Sequence, residues 1–498
     1  MESDYNNSLS MDIQNLISCI HWHEGSNNDH VVIETLKTIT DLCTNNEFGR
    51  DVLRNESGLD FLVEFMFTTD NAVYLEHSLK TLACVVDGNI HNQMYMTKKS
   101  VFEVIQTILR NCKFPVITRK NAIVLVSAIL YQNSTAQSSI CEVGLLQDLL
   151  NIYEQGAERF LSGSSYAPTS DDPLNELWIT SISSLCFAVN NPKHETNQVL
   201  CSTIFQISLR ILEFSTNAEV IGSVSSLLSL CISNNRYCQD KFAQNDGLLA
   251  CKRFFQKHFN LVLADIKDCN NIIRKEALTI LSSITGVISA AVLEHESNAD
   301  FLGRLGLVSL LVELFFVKVL DINLKTKIVL SLGHSIDACS KNKGHVIGVN
   351  NFDNLLKDNL CLQNHELSSA CKYLLQVCLM QEEFDQEENI QNADSPLEEN
   401  IASKGCNYES SCKITILNAT LPGKESEISD DSSDTSSSYY PAEVLLEKLK
   451  SEGESSDSQL TENIPLAKAK SAQGGKLPNV AFAWSKFLRQ IAKLKQRI

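Results

Sequence analysis

Proline and glycine are scarce in this chain, 9 and 20 of 498 residues. A turn-rich all-β protein needs more of both. The N-terminus "MESDYNNSLSMD" has neither a basic stretch nor an apolar one, so no signal peptide is expected. No uncharged apolar run reaches about 18 residues, so no membrane span is expected. None of the 17 cysteines is spaced C-x-x-C. Cys43, Cys84, Cys186, Cys231 and Cys371 sit among apolar residues at helical spacing, which reads as buried thiols in a reducing compartment rather than a disulfide scaffold.

Catalytic signatures are missing too. There is no G-x-x-x-x-G-K-[ST], no G-x-G-x-x-G after a strand, no G-x-S-x-G and no H-E-x-x-H. In "HWHE" (21–24), His21 and His23 point to different sides of a helix, and no paired Cys or His lies near them in sequence. No catalytic residue, metal site or cofactor is expected, and an enzyme is the least favoured class.

What the chain does have is a period. The step from a polar run into Gly-Leu opens an apolar helical pattern at "ESGLDFLVEFM" (56–66), "CEVGLLQDLL" (141–150), "QNDGLLACKRF" (244–254) and "GRLGLVSLLVELF" (303–315). Leu16, Leu59, Phe102 and Leu145 are each 43 residues apart, as are Phe205 and Leu248; Leu307 and Phe352 are 45 apart. Two longer gaps, 60 and 59 residues, separate Leu145 from Phe205 and Leu248 from Leu307. The first holds "EQGAERFLSGSSYAPTSDDP" (154–173), which reads as an inserted loop. In the second, the extra residues fall in 257–271 or 287–300. Within units the spacing is i, i+3, i+4, i+7, as in Leu59, Leu62, Val63 and Met66. A lone helical hairpin cannot cover both its faces, so neighbouring units must stack. The glycine is expected to let the chain turn between helices, and a recurrent Asn or Gly is expected to end the long helix, Asn being able to take the left-handed region.

A period near 43, an Asn at the end of a long helix, a short helix and a Gly before the next unit resemble the armadillo-repeat family. The resemblance covers about residues 11–380 and implies an all-α, right-handed α-solenoid of about eight units. Armadillo proteins of the catenin and importin kinds clamp peptides with an Asn ladder on the third helix. The matching positions here are Asp41, Cys84, Ser127 and Ser229, a candidate groove without that ladder's chemistry.

Charge divides the chain. Residues 381–465 hold 20 acidic and 5 basic side chains, and 466–498 hold 8 basic and none acidic, out of a net −18. The acidic, Ser-rich stretch reads as a disordered tail. Ser429, Ser432 and Ser433 lie beside acids there and are candidate phosphosites. "KITILNAT" (413–420) resembles a SUMO-interacting strand through Ile414, Ile416 and Leu417. At 479–498, Trp484, Phe487, Ile491 and Leu494 share one face of a basic amphipathic helix, a candidate docking element.

The layout as a whole resembles a family of meiotic proteins that attach telomeres to the inner nuclear membrane and promote homologous pairing. That resemblance implies a nuclear, non-enzymatic scaffold, with a SUN-domain protein and telomere-binding proteins as partners of the repeats. The family ends in a Myb-like DNA-binding unit, built on spaced large aromatics. Of Trp22, Trp178 and Trp484 only the last lies in the basic end, so direct DNA contact is not expected. Two alternatives stay open: a cytoplasmic armadillo scaffold of a centrosome, cilium or junction, and a membrane or nucleic-acid adaptor acting through 479–498.

Overall fold

The computed structural model describes residues 2–23, 28–44, 46–163, 172–190, 192–264, 271–347, 349–360 and 364–378. All of them lie in the first of two compact units, Met1–Thr420. The expected acidic tail, the SUMO-interacting strand, the three phosphosites and the C-terminal docking helix lie outside the described residues. Every described element is helical.

The helices repeat in threes: a short first helix, a second helix, then a long third one. The third helices are Asp29–Cys43, Ala72–Val86, Val116–Leu130, Pro173–Val189, Ala218–Ile232, Asn271–Val292 and Ile322–Ala338, followed by 365–378. Each packs against the next; the last does so through Tyr373, which lies against Gly333 and His334. Each layer thus buries the apolar face that its neighbour would otherwise expose, at roughly 1.5–3 kcal/mol per fully buried Leu or Val. Ile272–Val292 is long and apolar enough to cross a membrane by length and composition alone, but 61% of its apolar window is buried inside the array. It sits between Ala218–Ile232 and Ile322–Ala338 as a core helix.

The periodic apolar residues mark the starts of the second helices. Leu59, Phe102, Leu145, Phe205, Leu248, Leu307 and Phe352 are all buried there. Leu16 is the exception. It lies within one continuous helix, Glu2–His23, which begins upstream of residue 11, and the side chains it buries are Leu9, Ile13 and Ile20.

Two details of the turns differ from expectation. Gly144 and Gly306 do take positive φ (77° and 74°), but at the other two steps Ser57 and Asp246 take it instead (60° and 58°). Gly247 is there for space, because a Cβ would meet the Phe242 ring at 2.5 Å. At the ends of third helices the left-handed residue is the expected Gly or Asn at Gly88 and Asn234, but Gln132 and Glu294 take that place in two other units. The residue that follows is the N-cap of the next first helix: Asn89, Asn133, Asn235 or His295. The recurrent Asn therefore starts a helix more often than it stops one.

The first insertion is also smaller than expected. Helix Leu145–Leu161 runs through residues 154–161. Gly156 looks like a loop signal but is a packing residue: a Cβ there would lie 2.4 Å from the Trp178 ring. In the second long unit, 287–300 holds the regular helix end, the His295 cap and the start of the next helix. The extra residues lie upstream, in helix Gly247–Leu263 and the approach to Asn271.

Candidate partner-binding face of the repeats

The four groove positions do not make one row of free donors. Asp41 is exposed on helix Asp29–Cys43. Cys84 is half-buried, its Sγ 3.3 Å from Thr44 Oγ1 of the preceding third helix, and burial pushes its thiol pKa up. Ser127 is buried and donates to Ile123 O at 3.0 Å. Ser229 donates to Ser225 O at 2.8 Å, and a Cβ on Gly286 would sit 3.7 Å from its Oγ, so it faces the next third helix. A hydroxyl bonded to its own helix has no amide pair to offer an extended peptide.

Other polar groups of this layer bind the neighbouring third helix. Thr40 and Thr81 hydroxyls lie 2.9 Å apart, Asn121 donates to Glu76 O at 3.2 Å, and Ser331 donates to Thr285 O at 3.3 Å. Ser289 Oγ lies 2.9 Å from His334 Nδ1. Burial lowers the Lys327 pKa, and its Nζ reaches Ser282 O at 3.4 Å. Much of the layer's polar chemistry holds unit to unit.

The ordered amides sit elsewhere, on the first helices. Gln93 donates to Ala128 O and Tyr131 O at 2.9 and 3.0 Å. Gln137 reaches Phe187 O at 2.8 Å, Gln198 reaches Leu230 O and Ser233 O at 2.7 and 3.1 Å, and Gln239 reaches Ala290 O and Leu293 O at 3.0 and 2.8 Å. Each glutamine satisfies carbonyls that the C-terminal end of the following third helix leaves without an intrahelical partner. A second set points backwards. Asn92, Asn197, Asn298 and Asn342 donate to Val85 O, Ala188 O, Ala291 O and Ser335 O, at the end of the preceding third helix. In the first such helix one arginine does both jobs: Arg50 Nε donates to Cys43 O at 3.0 Å and its Nη1 to Asp87 O. All nine side chains are buried.

This double ladder was missed because amides were sought on third helices. Its trace is visible in "NIHNQ", "NSTAQ", "HETNQ" and "NRYCQ", where a glutamine follows the N-cap by four residues. In "HESNA" (295–299) alanine replaces it, and the forward half of the ladder stops.

Two caps are histidines. His194 Nδ1 accepts from Asn197 N at 3.3 Å, and its Nε2 lies 3.1 Å from Ser138 Oγ. His295 Nδ1 accepts from Asn298 N at 3.2 Å, and its Nε2 lies 2.8 Å from Asp240 Oδ1. An accepting Nδ1 carries no proton, and burial lowers both pKa values. Among the core thiols, burial pushes Cys43, Cys186 and Cys238 up to about 12, so they pack rather than react.

Solved structures share this arrangement. That of Uso1-1 has a TM-score of 0.51 and 13% identity, covering 77% of this chain and 64% of the other. That of Uso1-2 has a TM-score of 0.50 and 12% identity, covering 76% and 62%. The fold is an armadillo-like α-solenoid. In sequence, the armadillo-like chain is similar to telomere repeats-binding bouquet formation protein 1 of Mus musculus, 24% identical over 372 residues, and of Homo sapiens, 24% over 406. These alignments cover 74% and 79% of this chain but 47% and 53% of the relatives, so the chain spans about half their length. No protein-family model matches it.

Proposed function

We propose that this chain is a non-enzymatic meiotic scaffold at chromosome ends. It would join telomeres to the inner nuclear membrane by binding a SUN-domain protein through its repeats, and so promote homologous pairing. The observation that carries this reading is the similarity to the bouquet formation proteins, whose aligned length is enough to take in the whole repeat array. A further observation supports it: buried amides tie each unit to the next, giving an extended array of the kind that offers long surfaces for protein contacts.

The binding face in this reading is the third-helix layer around Asp41 and Cys84, with recognition by side-chain packing and exposed charge instead of an amide clamp. Telomere-binding proteins are the second class of partner, and the tail (381–465) serves as a spacer with secondary docking segments. Localisation of the tagged full chain in meiotic prophase nuclei tests this. Foci at chromosome ends against the nuclear rim are expected; foci elsewhere, or at centrosomes or cilia, contradict it.

A further inference from the structure

The net negative charge of the repeats is confined to their beginning. Residues 1–97 carry 15 acidic and 4 basic side chains, whereas 98–380 carry 25 of each. Two stretches, 1–36 and 55–79, hold 11 of those acids and no Lys or Arg. The fold brings these stretches together. They supply helix Glu2–His23, the start of Asp29–Cys43, helix Gly58–Thr68 and the start of Ala72–Val86, which pack on one another. The basic groups there are histidines, and an ordinary histidine is mostly neutral at pH 7.

Some of the acids are used within the array. Glu56 accepts from Ser10 Oγ and Gln14 Nε2, Asp29 accepts from Tyr74 Oη at 2.6 Å, and Glu34 pairs with Lys37 at 2.8 Å. Others face water. Asp12, Asp60, Glu64 and Asp70 are exposed, with no hydrogen bond or ion pair among the described residues. On the next second helix, Lys99–Arg110, the terminal cations are already engaged: Lys99 by Glu103 at 3.8 Å and Arg110 by Asp148 at 2.9 Å. Lys113, exposed in the turn after that helix, sets the far limit of the acidic surface.

Carboxylates alone would be an ordinary solvated face, but open rings stand among these. Asp60, Glu64 and Phe67 fall at i, i+4 and i+7 on one face of helix Gly58–Thr68, with Phe67 42% exposed. Asp70 and Val73 follow, in the turn and at the start of the third helix. On the adjoining helix Glu2–His23, Trp22 is 81% exposed, the most open large apolar side chain among the described residues. A ring face beside carboxylates attracts a Lys or Arg group twice over, through the ring quadrupole and through charge. Nucleic acid and anionic lipid carry the same sign as this surface, and so does the same surface on a second copy of the chain, so all three are repelled.

We propose that the start of the array, around Trp22, Asp60, Glu64, Phe67 and Asp70, docks a Lys/Arg-rich segment of a partner protein. The carboxylates hold the cationic groups, and the rings pack on guanidinium planes or lysine stems. This surface lies on Glu2–His23 and Gly58–Thr68, apart from the third-helix layer around Asp41 and Cys84. It stands whether or not a SUN-domain protein binds that layer.

Fluorescence anisotropy of labelled nona-arginine, titrated with the purified full chain in about 0.15 M salt, tests it. Saturable binding is expected. Glu64→Lys with Asp70→Lys should weaken it at least about ten-fold, and Trp22→Ala about two- to five-fold. Asp430→Lys with Asp431→Lys makes the same change in net charge and should weaken it less than about two-fold. The three substituted side chains of the repeats are exposed, and an unchanged circular dichroism melt shows that each variant folds. No binding overturns the proposal. So does equal loss from the two charge-reversed pairs, which would make the contact one of overall charge. Binding that Trp22→Ala leaves unchanged overturns it as well, because the surface is then only a solvated acidic face.

Discussion

Glutamate in place of Gln239 is expected to destabilise the repeat array by about 4 kcal/mol, and alanine by about 2–4 kcal/mol, since each orphaned buried carbonyl costs roughly 1–3 kcal/mol. The glutamine Nε2 is the donor to both Ala290 O and Leu293 O, and the side chain is 2% exposed. Alanine leaves those carbonyls without this partner. Glutamate does the same and adds a buried charge facing two partial negative charges at a helix C-terminus. The acid escapes part of this penalty by taking up a proton, which restores one donor. The glutamate variant should therefore gain stability relative to alanine as pH falls. Urea denaturation followed by circular dichroism reads both effects. A glutamate variant within about 1 kcal/mol of the native chain at neutral pH would show that the forward ladder carries little of the coupling between units.

Acid should weaken the array well above the pH at which its carboxylates titrate. His334 is buried on the third helix Ile322–Ala338, and burial lowers its pKa to about 4. His258, also buried, has both ring nitrogens without a hydrogen bond and is lowered to about 4. An unfolded histidine titrates near 6.5, so between about 6.5 and 4 the unfolded chain binds more protons than the folded one. The folded pKa is depressed, hence the stabilisation is complete above about pH 6.5 and is lost as pH falls towards 4. For His334 alone the full loss is about 3 kcal/mol. His194 and His295 shift in the same direction, and protonating either Nδ1 also removes a helix cap, worth about 1 kcal/mol. Unfolding free energies at pH 7.5 and pH 5 should differ by several kcal/mol, and His334→Gln should flatten the slope. Equal stability at the two values would mean that these rings take up protons in the folded array.

The stacking of units was legible because burial writes a period into the sequence. Leu59, Phe102, Leu145, Phe205, Leu248, Leu307 and Phe352 each open a second helix and each is buried. Polar residues were harder, since the same letter serves several physical roles. Asn89 and Asn133 looked like helix stops and are N-caps, whereas the left-handed turns fall on Gln132 and Glu294, which carry no such signature. Gly156 and Gly247 looked like turns and are close approaches of aromatic rings. The ladder glutamines drew no expectation, because their carbonyl partners lie 32–55 positions away along the chain. The binding face was the least legible part. At Ser127 and Ser229 the hydroxyls close onto their own helices, and nothing in the residue type announces that.

The account rests on the repeats, rather than the basic end of the chain, being the part that engages a partner. The measurement that tests this most directly is co-purification of a SUN-domain protein from meiotic cells with the full chain and with a chain lacking 479–498. Equal recovery with both is predicted. Recovery that vanishes with the deletion would contradict it.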